Sequence, residues 1–187
     1  ALGLLDGGDK LLDVGCGTGF FTRTLAAATN GQTTGVDINP DWVGFARRRD
    51  AGRSTYAVAD ARKLPYSDAS FDLVMSITAI CFTREEKTAV REIVRVARRR
   101  FAIGLLNRHS LLWWQKGRHG GHGAYKGAHW HSVQEVRSLF HDLPVESLCV
   151  QTAIHCPGGT LPARSIERVI PPSWPTGGFI LVTGNIA

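Results

Sequence analysis

Three glycines at alternate positions, Gly15, Gly17 and Gly19 in the stretch D-V-G-C-G-T-G-F, follow a short apolar run and precede a helical pattern. A turn of this kind lets the backbone approach a ligand closely, and its spacing decides which ligand. The dinucleotide fingerprint G-x-G-x-x-G places its third glycine three residues after the second, and here that position is Phe20. No G-K-[ST] follows, so the loop is not a P-loop either. Asp37 ends the next apolar run, 20 residues after Gly17, where a carboxylate accepts both hydroxyls of a ribose. The ligand expected from this spacing is a nucleoside without a pyrophosphate.

A second group of reactive side chains lies in residues 107–131, which hold five histidines and three tryptophans. His109, His119, His122, Tyr125, His129 and His131 are the candidates for a general base, needed only where an acceptor must lose a proton. The string G-A-H-W-H-S leads into a helix whose start is expected at the C-terminal edge of the sheet, where open α/β sheets bind ligands. That makes His129 and His131 the candidate catalytic residues, with packed or exposed loop histidines as the plainer reading of either one. No metal is expected, because neither His119 and His122 nor His129 and His131 have a cysteine or carboxylate beside them at ligand spacing. Trp113, Trp114, Trp130 and Trp174 either wall an apolar acceptor or fill the gap between loop and sheet. Cys81 lacks an adjoining Pro-Cys signature and reads as a small buried hydrophobe.

Positioning these residues requires a regular framework, and short β-branched runs alternate with helical patterns through the first two thirds of the chain. Strands are predicted at residues 10–14, 33–37, 54–58, 71–77 and 101–106, with closing strands at 145–154 and 178–186. Helices are predicted at 19–28, from Pro40 to about Asp50 behind an Asn39 cap, and after a Thr83/Glu86 capping box with a stripe of Val90, Ile93, Val94 and Ala97. Ser132 and Glu135 form a second box for a short helix, and one helical turn is expected around 163–169. The fold class is α/β, a doubly wound Rossmann-like and mostly parallel sheet of about seven strands with an antiparallel last strand and helices on both faces. Residues 1–187 read as one domain, with 107–131 and 155–177 as irregular insertions suited to a substrate pocket.

The 187 residues carry a formal net charge of +6, with 43% hydrophobic and 20% charged residues. Excess positive charge suits an anionic partner, but Arg47 to Arg49 and Arg98 to Arg100 both close predicted helices, where cations complement the dipole. Four scattered cysteines, none in a C-x-x-C pair, indicate free thiols. No apolar run approaches the roughly 20 residues of a membrane span and no signal segment opens the chain, so a cytoplasmic location is expected. The chain begins at Ala1, nine residues before the first predicted strand, which leaves room for residues upstream.

In order and spacing, D-V-G-C-G-T-G, Asp37 and A-D-A-R-K-L-P-Y-S-D-A-S-F-D-L-V resemble the successive motifs of class I S-adenosylmethionine-dependent methyltransferases. The subtype is similar to the group that includes ubiquinone and menaquinone biosynthesis methyltransferases. The resemblance covers residues 11–98 and thins out beyond Leu106. It implies S-adenosylmethionine as cofactor, S-adenosylhomocysteine as product, and a cofactor site built from Asp13, Gly15, Cys16, Gly17 and Gly19, Asp37 and Ile38, Asp60 and Ala61, and Ser76 and Ile77. In that scheme Gly15 and Gly17 clear volume for the cofactor, Asp13 faces its cationic end and Ile38 lies against the adenine. Asp60 and Ala61 read the adenine edge, and Ser76 to Thr78 run beside the methionine part. The implied reaction is in-line methyl transfer to a small-molecule acceptor. Two alternatives are a nucleic-acid methyltransferase and a non-catalytic cofactor-binding protein. The first is disfavoured because S-I-T-A-I-C-F after the fourth strand lacks a [DN]-P-P-[YF] stretch for a flipped base. Oligomeric state is left open by the sequence.

Overall fold

The computed structural model describes residues 8–50, 52–157, 170–171 and 174–187. Seven strands form one sheet: β1 (Leu11–Val14), β2 (Thr33–Asp37), β3 (Thr55–Val58), β4 (Phe71–Ile77), β5 (Ala97–Leu106), β6 (Val145–Ala153) and β7 (Phe179–Ile186). Their order is β3-β2-β1-β4-β5-β7-β6. The first five pair in parallel, and β7 runs antiparallel to both β5 and β6. The helices are α1 (Phe20–Ala28), α2 (Pro40–Arg49), α3 (Glu86–Val96) and α4 (Val133–Ser138). Among the described residues no helix is long and apolar enough to cross a membrane.

Alternation along the central strands divides the core into two faces. Leu12, Val14, Val74, Phe101, Ile103 and Leu105 pack with Ala89, Val90, Ile93 and Val94 of α3. Their neighbours Leu11, Leu73, Met75 and Ala102 pack with Leu25 of α1. Strands buried on both sides read as continuous apolar runs, which is why β4 lies where the pattern F-D-L-V-M-S-I predicts it. The Asn39 carboxamide caps α2 by accepting from the Asp41 and Trp42 N–H groups, with Pro40 at the first helical position. Ser132 and Glu135 form the reciprocal box at α4.

Two expectations are corrected. Arg98, Arg99 and Arg100 do not close a helix; α3 stops at Val96 and the three lie in β5. Arg98 pairs there with Asp72 and Arg99 with Asp9, so acidic groups elsewhere in the fold take the role given to the helix dipole. Thr83 does not cap α3 either, since the helix begins at Glu86 without a side-chain cap and the Glu86 carboxylate is committed elsewhere. The helical turn expected at 163–169 lies outside the described residues.

The irregular connections share an anchor. The Asn107 side chain donates to the carbonyls of Pro175 and Gly177, both at 2.7 Å, and its Oδ1 accepts from the His109 N–H at 2.9 Å. This buried amide ties the segment leaving β5 to the one entering β7.

At the other face, the Thr22 hydroxyl of α1 donates to Asp13 Oδ2 of β1 at 2.7 Å. Asp13 is fully enclosed, and burial pushes its carboxyl up from 3.8 to about 6, against the Thr22 hydrogen bonds that lower it. Because the folded value lies above the unfolded one, this group's contribution to stability is complete below pH 3.8 and is lost as the pH rises through about 6. Asp13→Asn keeps an acceptor for Thr22 and removes the titration. The stability of the parent to urea, relative to this variant, should therefore fall by about 2 kcal/mol between about pH 4 and about pH 7. Parallel pH profiles for the two proteins would refute this.

Candidate functional site

The chain winds from β1 to one side through β2 and β3, then crosses to β4 and β5 on the other. Between β1 and β4 the order reverses, and open α/β sheets hold ligands outside the carboxyl ends of the strands at that point. The glycine loop leaves β1 there. Gly15 and Cys16 donate their N–H groups to the Val36 carbonyl at 2.7 and 2.9 Å. The Gly17 N–H donates to Asp37 Oδ2 at 2.8 Å, and the Asn39 N–H to Asp37 Oδ1 at 2.9 Å. A carboxylate offers about four lone-pair sites. Two are taken by the backbone, which leaves Asp37 able to accept from both hydroxyls of a ribose.

All three loop glycines have positive φ, but a Cβ meets different surroundings at each. At Gly15 it would lie 2.1 Å from the Ala79 Cβ, and at Gly19 2.9 Å from the Ala46 Cβ and the Tyr56 hydroxyl. At Gly17 the nearest atom is 4.0 Å away, on Trp42. The volume expected to be cleared for a ligand at Gly15 is thus occupied by Ala79, and only Gly17 opens toward free space. Cys16 is packed among Val43, Ala46 and Tyr56, and burial pushes its thiol up to about 12. What it offers a ligand is backbone, not sulfur.

Asp13, expected to face a cationic group, is turned inward to Thr22. Ile38 is 64% exposed beside Asp37 and presents an uncovered apolar surface. β3 brings Ala59 to β2, where its N–H donates to the Asp37 carbonyl at 3.0 Å. Asp60 and Ala61 follow directly. The Asp60 carboxylate is gripped by the Arg62 guanidinium, which holds it below the usual carboxylate range, and Arg62 also reaches Glu85 at 2.8 Å. Ser76 is wholly buried, and its hydroxyl has no hydrogen-bond partner among the described residues. Ile77 packs against Gly104.

A turn that no local pattern announces follows β4. Thr78 has φ +54°, uncommon for a β-branched residue, while its N–H donates to the Gly104 carbonyl at 2.8 Å. The turn brings Ala79 back against Gly15 and leads into a short 3-10 helix, Ile80–Phe82. Cys81 there is buried, with its thiol pushed up to about 12 by that burial, in keeping with a packing role.

Of the loop histidines, His109, His119 and His122 stand exposed, whereas His129 and His131 meet. Their rings lie 4.3 Å apart, and both turn to the Glu86 carboxylate at the start of α3. Glu86 Oε1 is 3.0 Å from His129 Nδ1, and Oε2 is 2.9 Å from His131 Nε2. The carboxylate missing from the local sequence is thus supplied by a residue 43 positions upstream. The two imidazoles differ: the His131 side chain is 1% exposed and that of His129 54%. Trp130 between them points the other way into the core, where it meets Tyr125, while Trp114 and Trp174 remain exposed.

Residues 12–100 match the family model of the methyltransferase domain. The O-methyltransferase cnsE of Penicillium expansum is 38% identical over 96 residues, which make up 49% of this chain and 35% of that protein. The 27-O-demethylrifamycin SV methyltransferase of Amycolatopsis mediterranei is 36% identical over 107 residues, 54% of this chain and 39% of that protein. The chain therefore spans little more than a third of the length of these relatives. Among solved structures, a possible histamine N-methyltransferase from Thermotoga maritima superposes with a TM-score of 0.75 at 22% identity, covering 98% of this chain and 84% of that one. The magnesium protoporphyrin IX methyltransferase of Synechocystis, solved with S-adenosylhomocysteine, gives 0.67 at 16% identity over 96% of this chain and 75% of that one. With the glycine loop, the acidic end of β2 and the sheet order in place, residues 12–100 of this chain match a methyltransferase domain, on a fold shared with S-adenosylmethionine-dependent methyltransferases.

Proposed function

We propose that the chain transfers the methyl group of S-adenosylmethionine to a small-molecule acceptor. The observation that carries this reading is the Gly17 and Asp37 pair: an open position over Gly17 next to a carboxylate with two acceptor sites to spare. The residues fit a nucleoside. Asp37 takes the ribose, exposed Ile38 covers one face of the base, and the chain at Asp60 and Ala61 borders its edge. When bound, S-adenosylmethionine supplies a methyl carbon already activated by a sulfonium. The protein's task is then orientation and exclusion of water, and no side chain need act covalently. Held by Asp37, Ile38 and the chain at Asp60 and Ala61, S-adenosylmethionine would supply the methyl group and leave as S-adenosylhomocysteine, and a hydroxyl or amine acceptor would give up its proton to solvent.

A small acceptor is supported by the relatives, named for O-methyl and N-methyl transfer, ajmaline among their acceptors. Arg62, Arg95, Arg98, Arg99 and Arg108 are each paired with carboxylates, so these five guanidiniums are engaged within the fold rather than turned to an anionic partner.

Calorimetry with S-adenosylhomocysteine is expected to show binding by the parent chain and a loss of about 100-fold or more in Asp37→Ala, which forfeits two charge-assisted hydrogen bonds. Absence of binding by the folded parent would overturn the proposal, and release of S-adenosylhomocysteine with a panel of hydroxyl and amine acceptors tests turnover. The glycines separate fold from site. Gly15→Ala drives a Cβ into Ala79 and should lower the melting temperature strongly. Gly17→Ala, with no clash, should cost about 1–2 kcal/mol for its positive φ and weaken cofactor binding beyond that. Equal effects of the two substitutions on stability would show that Gly17 does not open onto the ligand.

A further inference from the structure

We propose that Glu86, His129 and His131 form a binding site for one divalent transition-metal ion of the borderline class to which zinc and iron(II) belong. The donor set is two imidazoles and one carboxylate, which suits those ions better than magnesium or calcium, whose ligands are oxygens. The three ligand atoms lie within 4.8 Å of one another. Donors about 2.1 Å from a shared ion stand about 3.0 Å apart when adjacent in an octahedron and about 3.4 Å in a tetrahedron. The carboxylate already lies 3.0 Å from His129 Nδ1 and 2.9 Å from His131 Nε2. Closing the triangle asks only that the two imidazole nitrogens approach each other.

The sequence and fold prepare this convergence. In the extended string H-W-H alternate side chains share a face, so both imidazoles look one way and Trp130 the other. The strip is held at each end: the His129 N–H donates to the Cys81 carbonyl at 2.7 Å, the His131 N–H to Leu106 at 2.8 Å, and the Arg108 N–H to the His131 carbonyl at 2.8 Å. Glu86 and His131 are buried and fixed, while His129, half exposed, is the arm free to adjust. An ion bound here uses neutral imidazoles in the tautomers whose lone pairs face Glu86. It keeps coordination positions on the exposed side of His129 for water or for an oxygen or nitrogen donor. On this assignment the pair expected to act as bases serves as ligands instead.

The test is titration of the chelator-treated 187-residue chain with Zn²⁺ by calorimetry and with Co²⁺ by visible absorption. One ion per chain is expected, with a d–d spectrum for cobalt and a zinc-dependent rise in melting temperature. His129→Ala removes an exposed side chain and should leave the far-ultraviolet circular dichroism unchanged while weakening both ions about 100-fold or more. Glu86→Gln should do the same, and His119→Ala should change nothing. A folded parent with no saturable binding, or binding equal in parent and His129→Ala, overturns the proposal: the cluster is then a hydrogen-bonded carboxylate alone, or the ion sits elsewhere. Failure here leaves the methyltransferase reading untouched, since that rests on Asp37 and is measured with S-adenosylhomocysteine.

Discussion

The carboxylate of Asp37 holds two turns at once. One oxygen fixes the glycine loop through the Gly17 N–H, and the other fixes the start of α2 through the Asn39 N–H. Asn39 then spends its own side chain on the first N–H groups of α2. The end of β2, the loop after β1 and the entry to α2 therefore hang from one buried acid. An unpaired buried carboxylate is costly, so the backbone donors also make the charge tolerable before any ligand arrives. The same side chain that shapes the cleft is left with unused lone pairs facing it.

What lay within a few residues was legible in the sequence. Seven consecutive mostly apolar positions located β4, and Asn39 with Pro40 and Ser132 with Glu135 located helix starts, because capping is satisfied by neighbours. Thr83 and Glu86 have the same spacing as Ser132 and Glu135 and behave differently. Glu86 is claimed by imidazoles 43 and 45 residues later, and no local pattern announces that competition. Gly15 makes the same point for the site. Its need for glycine was visible, but the reason is Ala79, delivered by a turn at Thr78 that only the folded chain reveals.

Charge shows how tertiary contacts reassign side chains. Arg98 and Arg99, adjacent where the register of β5 with β4 shifts, find Asp72 and Asp9. Arg95 at the end of α3 binds Glu92 and Asp68 and also donates to the Tyr66 carbonyl, so it clasps the connection before β4 onto the helix. In each pair to Asp72, Asp9 and Glu92 the guanidinium is partly open to solvent, which screens the attraction. Their effect is to tie segments distant in sequence together.

The two faces of the sheet also divide the chemistry. Asp13 and Thr22 lock α1 to one face, which orients the helix that begins directly after the glycine loop. On the other, α3 presents its stripe to the core and its first residue, Glu86, to the irregular segment after β5. A buried carboxylate without partners is costly, so a glutamate at that helix start requires them, and the H-W-H strip supplies them. The segment of residues 107–131, whose own structure is limited to short helical stretches between Trp113 and Tyr125, is thereby tied to the connection before β7 at Asn107, to the turn after β4 at Cys81 and to α3 at Glu86. These attachments make it a fixed layer rather than a loose connection between β5 and α4.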